Sequence, residues 1–387
     1  MSSSQSREFL LDVSRLVWRA WDRMLPTGID RVCLEYVERL GPRSLAVVQF
    51  KGSTFVLSPA SSDRLFFMLR DPAQCSRASL IRVLAGALFT ASKSPPSRAM
   101  FYLNVGHTGL HEGALAAWVG KHDLRAIYLI HDLIPVTHPQ FCRPGEAAKH
   151  AVRIKNALGS ASGIIGNSQS TLDELAAFAA SCGLPMPPHV AAVISGKSLS
   201  RRRPAQLLDR PYFVTVGTIE GRKNHLLLFK VWDQLVADMK GEAPVLVVIG
   251  QRGWEADEAF RRLDQPGELA GHVLEISSCG DEELAGWISG ARALLMPSFV
   301  EGFGLPVIEA LDLGAPVIAS DLPVYREIVG DLPTYLDPND EQAWRNTVEA
   351  FLTDSPERKR QLARLQAYVA PKWSEHFAKV ETWLAQL

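Results

Sequence analysis

The chain is poor in cysteine, has almost no net charge and contains no long apolar run. Its five cysteines, Cys33, Cys75, Cys142, Cys182 and Cys279, are odd in number, widely scattered and never spaced Cys-x-x-Cys. That pattern favours neither a disulfide framework nor a zinc site, and it fits a reducing, cytoplasmic setting. No uninterrupted apolar run approaches twenty residues, so no membrane-spanning helix is expected. The opening Met1-Ser-Ser-Ser-Gln-Ser-Arg7 lacks the basic-then-apolar order of a signal peptide. With a formal net charge of −1, the chain has no basic field to draw it to nucleic acid, and no nucleic-acid partner is expected. Arg201-Arg202-Arg203 is the one compact basic cluster, and it reads as a solvated linker. Peripheral contact with a membrane surface stays open.

What is present is an ordinary globular composition, 47% hydrophobic and 21% charged, on 387 residues. That length exceeds a typical single core and points to two domains. In the first half, strand-like runs occupy Phe9 to Val13, Ser44 to Phe50, Thr54 to Leu57, Ala99 to Asn104, Arg125 to Ile130 and Ser162 to Ser168. A helix is expected from Asp30 to Leu40, reached from the first strand through the loop Pro26 to Arg31. Another is expected from Leu172 to Cys182, capped by Ser170 or Thr171. Pro185, Pro187, Pro188, Pro204 and Pro211 then break the pattern and place a domain boundary between Gly183 and Pro211. The second half alternates again, with strands at Tyr212 to Val216, Val245 to Ile249, His272 to Ser277, Arg292 to Met296 and Pro316 to Ala319. Helices are expected at His225 to Met239, Asp281 to Ser289 and Asp340 to Leu352. Such alternation implies an α/β protein with two Rossmann-like domains of parallel strands. The proposed division is residues 1–200, residues 201–368, and an amphipathic terminal helix in 369–387 with Trp373, Phe377, Val380 and Leu384 on one face.

The most informative segment is Pro297-Ser-Phe-Val-Glu301-Gly-Phe303-Gly304-Leu305-Pro306-Val-Ile-Glu309-Ala310. An apolar strand precedes it, Gly302 and Gly304 permit a tight turn, and Pro306 suits the first helical position. Gly314 suits the helix end. A glycine turn opening onto a helix N-terminus is a site for phosphate. Two glutamates there repel a bare phosphate, but they suit a ligand carrying hydroxyls beside its phosphates, as a nucleotide sugar does. A second turn, Gly217-Thr-Ile-Glu-Gly-Arg222-Lys223-Asn224, sets two cations beside a helix start, where they can neutralise a diphosphate. In the first half, His131-Asp132 and His107 each follow a strand, at the end where parallel sheets bind ligands.

The Glu301–Glu309 segment resembles the Glu-x7-Glu motif of family-four glycosyltransferases, retaining enzymes of the GT-B fold. The likeness is firm over the second half and loose over the first. It implies two Rossmann-like domains facing an interdomain cleft, with the terminal helix crossing back to the first domain. By the same resemblance, Glu309 accepts hydrogen bonds from the nucleotide ribose and Glu301 lies beside the transferred sugar. Arg222 and Lys223 are similar to the family's phosphate-binding pair, with Gly217 preceding them, and His131 to its histidine on the donor sugar. The backbone at Phe303, Gly304 and Leu305 would meet the same donor. Where the family carries two adjacent glycines in the first loop, this chain has Gly28 alone, so backbone–phosphate contact there is in doubt, with Arg31 or Thr27 as substitutes. His107, Asp132 and Arg31 are further candidates for acceptor or donor contact, His107 being equally readable as structural.

No Asp-x-Asp closes any strand, so no metal and no cofactor is expected, with cations and helix ends carrying the electrostatic load. The resemblance implies transfer of a hexose from a nucleotide diphosphate sugar to a glycan acceptor, lipid-linked by analogy. GDP-mannose is the leading donor, resting on likeness to bacterial polysaccharide mannosyltransferases. dTDP-rhamnose, GDP-fucose and UDP-sugars stay open. So do two other classes, a GT-B sugar-nucleotide epimerase and a non-catalytic nucleotide-sugar-binding module.

Overall fold

Two sheets of short, apolar strands organise the chain. A computed structural model describes residues 7–24, 27–71, 76–88, 90–97, 100–197, 199 and 207–387. The Arg201–Arg203 cluster, Pro26, Ala99 and Cys75 lie outside the described residues. Those described fall into two units. One comprises Met1–Leu133, Ala148–Ile194 and Trp373–Leu387, the other Ile134–Ala147 and Ser195–Lys372. Of the expected terminal segment 369–387, Trp373–Leu387 groups with the first unit. Ile134–Ala147, expected inside the first domain, groups instead with the second.

The first unit holds β1 (Phe9–Asp12), β2 (Ser44–Phe50), β3 (Ser53–Val56), β4 (Phe101–Asn104), β5 (Arg125–Ile130), β6 (Gly163–Gly166) and β7 (His189–Ala191). They lie in the order β3-β2-β1-β4-β5-β6-β7. All neighbouring pairs are parallel except β2 and β3, which departs from the all-parallel expectation. The cause is local: Lys51 (φ 48°) and Gly52 (φ 72°) both take positive φ, the geometry of a two-residue hairpin turn. A helix absent from the sequence expectation, Ser14–Trp21, directly follows β1, so the loop before Asp30 does not leave the first strand. Leu16 and Val17 bury one side of this helix while Arg15, Trp18 and Arg19 stay half-exposed. The next helix runs Gly28–Leu40, with Thr27 as cap and Asp30 closing a capping box. The expected helix at Leu172 begins three residues earlier, at Gln169, and its cap is Ser168, which accepts from the Thr171 N–H at 3.0 Å. In the terminal helix Trp373–Leu384, Phe377, Val380 and Leu384 are buried as the spacing predicts. Its His376 is buried too, hydrogen-bonded to the Tyr36 hydroxyl at 2.9 Å and the Ala192 carbonyl at 3.0 Å.

The second unit holds β8 (Tyr212–Val216), β9 (Val245–Ile249), β10 (Val273–Ile276), β11 (Leu294–Met296), β12 (Val317–Ser320) and β13 (Thr334–Leu336). Their order is β10-β9-β8-β11-β12-β13, every pair parallel. The Val-Leu-Val-Val-Ile of β9 is buried along its whole length, as a central parallel strand covered on both faces must be. Helices His225–Met239 and Glu341–Phe351 pack together over the sheet, with Trp232 and Trp344 fully buried. Each indole N–H finds a carbonyl, Pro244 and Asp337 respectively, both at 2.9 Å, so neither tryptophan buries an unpaired donor. In both sheets the strand order reverses beside the first strand, between β1 and β4 and between β8 and β11. Ligands of open parallel sheets bind outside the carboxyl ends at such points.

Candidate functional site

The reversal between β8 and β11 is where the second unit gathers its charged residues. Leaving β8, the chain turns at Gly217 (φ 139°), where a Cβ would stand 3.3 Å from both Cε and Nζ of Lys223. The missing side chain leaves the lysine room to lie across the turn. A single 3-10 turn, Gly221–Lys223, follows, and Asn224 in the left-handed conformation starts the helix His225–Met239. Asn224 Nδ2 donates to the Pro297 carbonyl at 3.2 Å and to the Pro338 carbonyl at 2.9 Å. The Phe299 N–H donates to the Arg222 carbonyl at 2.8 Å. These bonds tie the turn after β8 to the loop after β11.

On that loop, Glu301 is almost fully buried. Its Oε1 accepts from Lys223 Nζ and Ser298 Oγ, each at 2.6 Å, and its Oε2 from Arg222 Nη1 at 2.7 Å. Arg222 also donates to the Val300 carbonyl at 3.1 Å and bridges to Glu220 at 2.6 Å. Burial pushes the Glu301 carboxyl up, but Arg222 and Lys223 outweigh it and hold it at about 2. Burial likewise pulls the Lys223 ammonium down while Glu301 pulls it back. With both Glu301 oxygens bonded to cations the pair is ionised at neutral pH.

The following helix, Leu305–Asp312, starts one residue earlier than expected, so Pro306 is its second residue. Gly304 caps it at φ 99°, and a Cβ there would fall 2.3 Å from the Tyr325 ring. Only glycine satisfies both constraints. Phe303 is buried, and Leu305 is half-buried. Glu309 lies one turn further on, 2% exposed, with Oε1 accepting from the Lys197 N–H at 3.2 Å. Lys197 in turn pairs with Asp281. The segment Ile134–Ala147 adds an aromatic contact: the Phe141 ring stacks on Phe299 with centroids 5.3 Å apart and planes at 8°. Arg143 lies over Trp254 at 5.2 Å.

In the first unit the expected residues gather at the carboxyl ends of β4 and β5. His131 Nε2 bonds the Val105 carbonyl at 2.8 Å, and His107 Nε2 bonds the Leu129 carbonyl at 2.7 Å. Each ring thus reaches across to the neighbouring strand's end, and the centroids are 5.1 Å apart. Both rings are buried, and burial is the main cause of their low basicity: His131 is pulled down to about 4 and His107 well below its ordinary range. Bonding to backbone carbonyls fixes Nε2 as the protonated nitrogen in each. His107 adopts φ 62°, rare for a residue with a side chain, which marks a constrained turn. The Asp132 carbonyl accepts from His150 at 3.2 Å, and Asn167 Nδ2 holds the His131 carbonyl at 2.8 Å.

Gly28 is the exposed first residue of its helix. The Thr27 hydroxyl donates to Asp30 at 2.8 Å, and Asp30 also holds Arg15 and Arg19, each at 2.7 Å. The Arg31 N–H donates to the Thr27 carbonyl within the same cap, at 3.1 Å. The structure therefore brings Arg222, Lys223, Glu301, Gly217, Phe303 and Gly304 together, with Glu309 on the adjoining helix. In the first unit it brings His107, His131 and Asp132 together.

Two partners escaped the sequence reading. Glu220 sits in the quoted turn as an acid two residues before Arg222, a detectable signal. Lys197 contacts Glu309 from 112 positions away, and nothing local announces it. Among the described residues no group of three or more His, Cys, Asp or Glu gathers as a metal site. No helix among them is long and apolar enough to cross a membrane.

This architecture is the GT-B fold. It aligns with the structure of Anabaena HepE in complex with UDP at a TM-score of 0.63 and 15% identity, covering 93% of each chain. It aligns with sucrose-phosphate synthase from Thermosynechococcus elongatus at 0.58 and 19%, covering 80% of this chain and 79% of that one. Residues 197–366 match the family described as glycosyl transferases group 1, and that span contains Gly217, Arg222, Lys223, Glu301, Phe303, Gly304 and Glu309. O-antigen chain mannosyltransferase B of Escherichia coli is 35% identical over 159 residues, 41% of this chain and 41% of that protein. O-antigen chain mannosyltransferase RfbU of Salmonella typhimurium is 30% identical over 181 residues, 45% and 47% respectively. The aligned portion is thus less than half the length of each of these two relatives.

Proposed function

We propose that the protein is a retaining glycosyltransferase that moves a hexose from a nucleotide diphosphate sugar to a hydroxyl of a growing surface polysaccharide. The observation that carries this reading is the chain of charges Glu220–Arg222–Glu301–Lys223, with only Arg222 partly exposed, beside Glu309 and outside the carboxyl ends of β8 and β11. Lys223, lying over the bare Gly217 turn, is placed to meet a diphosphate. Glu309 presents a carboxylate to ribose hydroxyls, and charge-assisted bonds of that kind are the strong ones. Glu301 offers negative charge where positive charge develops at the anomeric carbon. His131, neutral and protonated on Nε2, keeps Nδ1 as an acceptor for a sugar hydroxyl.

The chemistry follows from those roles. The C–O bond from sugar to diphosphate breaks, and Lys223 and Arg222 stabilise the leaving phosphate. The acceptor hydroxyl attacks from the same face and passes its proton to the departing phosphate oxygen, so configuration is retained without a covalent intermediate. Cationic side chains carry the charge stabilisation, and the reaction needs no metal or cofactor.

GDP-mannose is the donor favoured by the relatives, which are mannosyltransferases by name. The acceptor would be a lipid-linked glycan at the cytoplasmic face of a membrane. A half-exposed aromatic and basic surface on the first unit suits peripheral contact there: Trp21 under Arg77 at 5.7 Å, and Phe50 under Lys51 at 5.3 Å. The test is transfer from GDP-mannose, GDP-fucose, dTDP-rhamnose and UDP-glucose to a lipid-linked oligosaccharide in the presence of chelator. Retained anomeric configuration in the product, read by NMR, is expected. Inverted product, turnover abolished by chelator, or donor isomerisation without transfer would each contradict the reading.

A further inference from the structure

Glu220 is the unused member of the charge cluster. It is 3% exposed, with Oε1 bonded to Arg222 Nη2 at 2.6 Å. Its Oε2 is buried with no hydrogen-bond partner among the described residues. An ionised carboxylate oxygen left without a donor is costly, so the group is poised to take a proton once further negative charge arrives beside it. Counted with its neighbours, the cluster alternates acid, base, acid, base and sums to zero charge. A nucleotide diphosphate entering beside Lys223 brings two or three negative charges to a neutral, buried site.

We propose that Glu220 is a positioning residue that holds Arg222 in place and sets the charge of the donor site, taking up a proton when the diphosphate binds. This rests on the donor-site reading above. Before binding, ionised Glu220 balances Arg222 and keeps that guanidinium aimed at Glu301. On binding, the diphosphate supplies the negative charge, Glu220 takes a proton from solvent on Oε2, and Oε1 keeps its contact with Arg222. The proton leaves again with the product nucleotide.

The groups facing Glu220 are consistent with this. Burial raises its carboxyl, Arg222 and Lys223 lower it, and Glu301 raises it, leaving it above its ordinary range. The loop packed against it, around Gly253, adds no competing cation: Arg252 is committed to Asp264 and Glu275, both at 2.7 Å. Glu255 on that loop approaches Gly221 through its backbone carbonyl.

The test is calorimetric titration with GDP at pH 7.5, where the free diphosphate is largely ionised, in two buffers of different ionisation enthalpy. Wild type is expected to take up a fraction of a proton per GDP bound, and its affinity to fall as pH rises. Glu220→Gln removes the charge but keeps the shape; it should bind GDP about tenfold more tightly, with no proton uptake and a flattened pH dependence. Absence of uptake in wild type, or a Gln variant that binds equally or more weakly, overturns the proposal. The wild-type uptake decides even where the variant fails to fold. Lys223→Ala is the control: if it leaves GDP affinity unchanged, the donor site itself is misplaced. If it weakens binding while wild type shows no uptake, only the role of Glu220 falls.

Discussion

The two units both place functional groups at the carboxyl ends of neighbouring parallel strands and treat them in opposite ways. In the first, the side chains outside β4 and β5 are neutral histidines bonded to main-chain carbonyls. In the second, those outside β8 and β11 are ions bonded to one another. A bond to the backbone is fixed by the sheet and leaves one ring nitrogen defined, so it suits a group that must point without moving. An ion pair between side chains can be exchanged for another counter-ion, so it suits a group that meets a charged ligand. The comparison assigns orientation to the first unit and charge compensation to the second.

The largest expected effect breaks the second arrangement. Lys223→Ala should lower kcat/KM by about a hundredfold or more, the scale of losing one pre-placed electrostatic donor. Measured in parallel, its affinity for the bare nucleotide diphosphate should also fall. Glu301→Ala should then separate turnover from binding, reducing kcat far more than affinity for the bare nucleotide; equal losses would leave it a structural counter-ion. Gly304→Ala should cost about 1–3 kcal/mol of stability, because the added methyl meets Tyr325 and the backbone is strained, and thermal unfolding would read it. On the other side of the comparison, His131→Ala should reduce turnover more than His107→Ala, since His131 is the ring assigned to a sugar hydroxyl and His107 sits in a constrained turn. The reverse order would make His107 the ligand contact.

The smallest effect is in pH dependence. His131 and His376 are held to about 4, below the ordinary histidine value, by burial. Their stabilisation is present above about pH 6.5 and is lost as pH falls toward 4, because the unfolded chain binds those protons first. Asp12, raised by burial, works in the opposite direction. Glu301, held at about 2, contributes stability that persists until pH drops below about 4.5. In the second unit His225, held at about 3, and His138, also lowered by burial, titrate in the same direction. Hydrogen exchange between pH 7 and 4.5 should therefore show amides of β4 and β5 losing protection before those of β8 and β11. Simultaneous loss would remove the distinction between the units.

How much of this was readable beforehand follows the range of the interactions. Glu301, Gly304 and Glu309 are legible because turn, cap and helix are built from one continuous stretch. Arg222 and Lys223 were legible as cations at a helix start, but not as partners of Glu301, 79 and 78 positions away. Helix Ser14–Trp21 was hidden because it starts without a capping side chain and follows the strand at once. The place of Ile134–Ala147 depends on a ring stack between Phe141 and Phe299, which no local periodicity encodes. The burial of His376 was not legible, because its partners Tyr36 and Ala192 come from 340 and 184 positions away.

On the proposed reading, the turn after β8 and the helix after β11 together hold a nucleotide diphosphate. Calorimetric titration of wild type, Lys223→Ala and Glu309→Ala with GDP, UDP, dTDP and ADP, without added metal, tests it most directly. Selective binding of one nucleotide, weakened by both substitutions, is the expected result. Binding that neither substitution alters would contradict it.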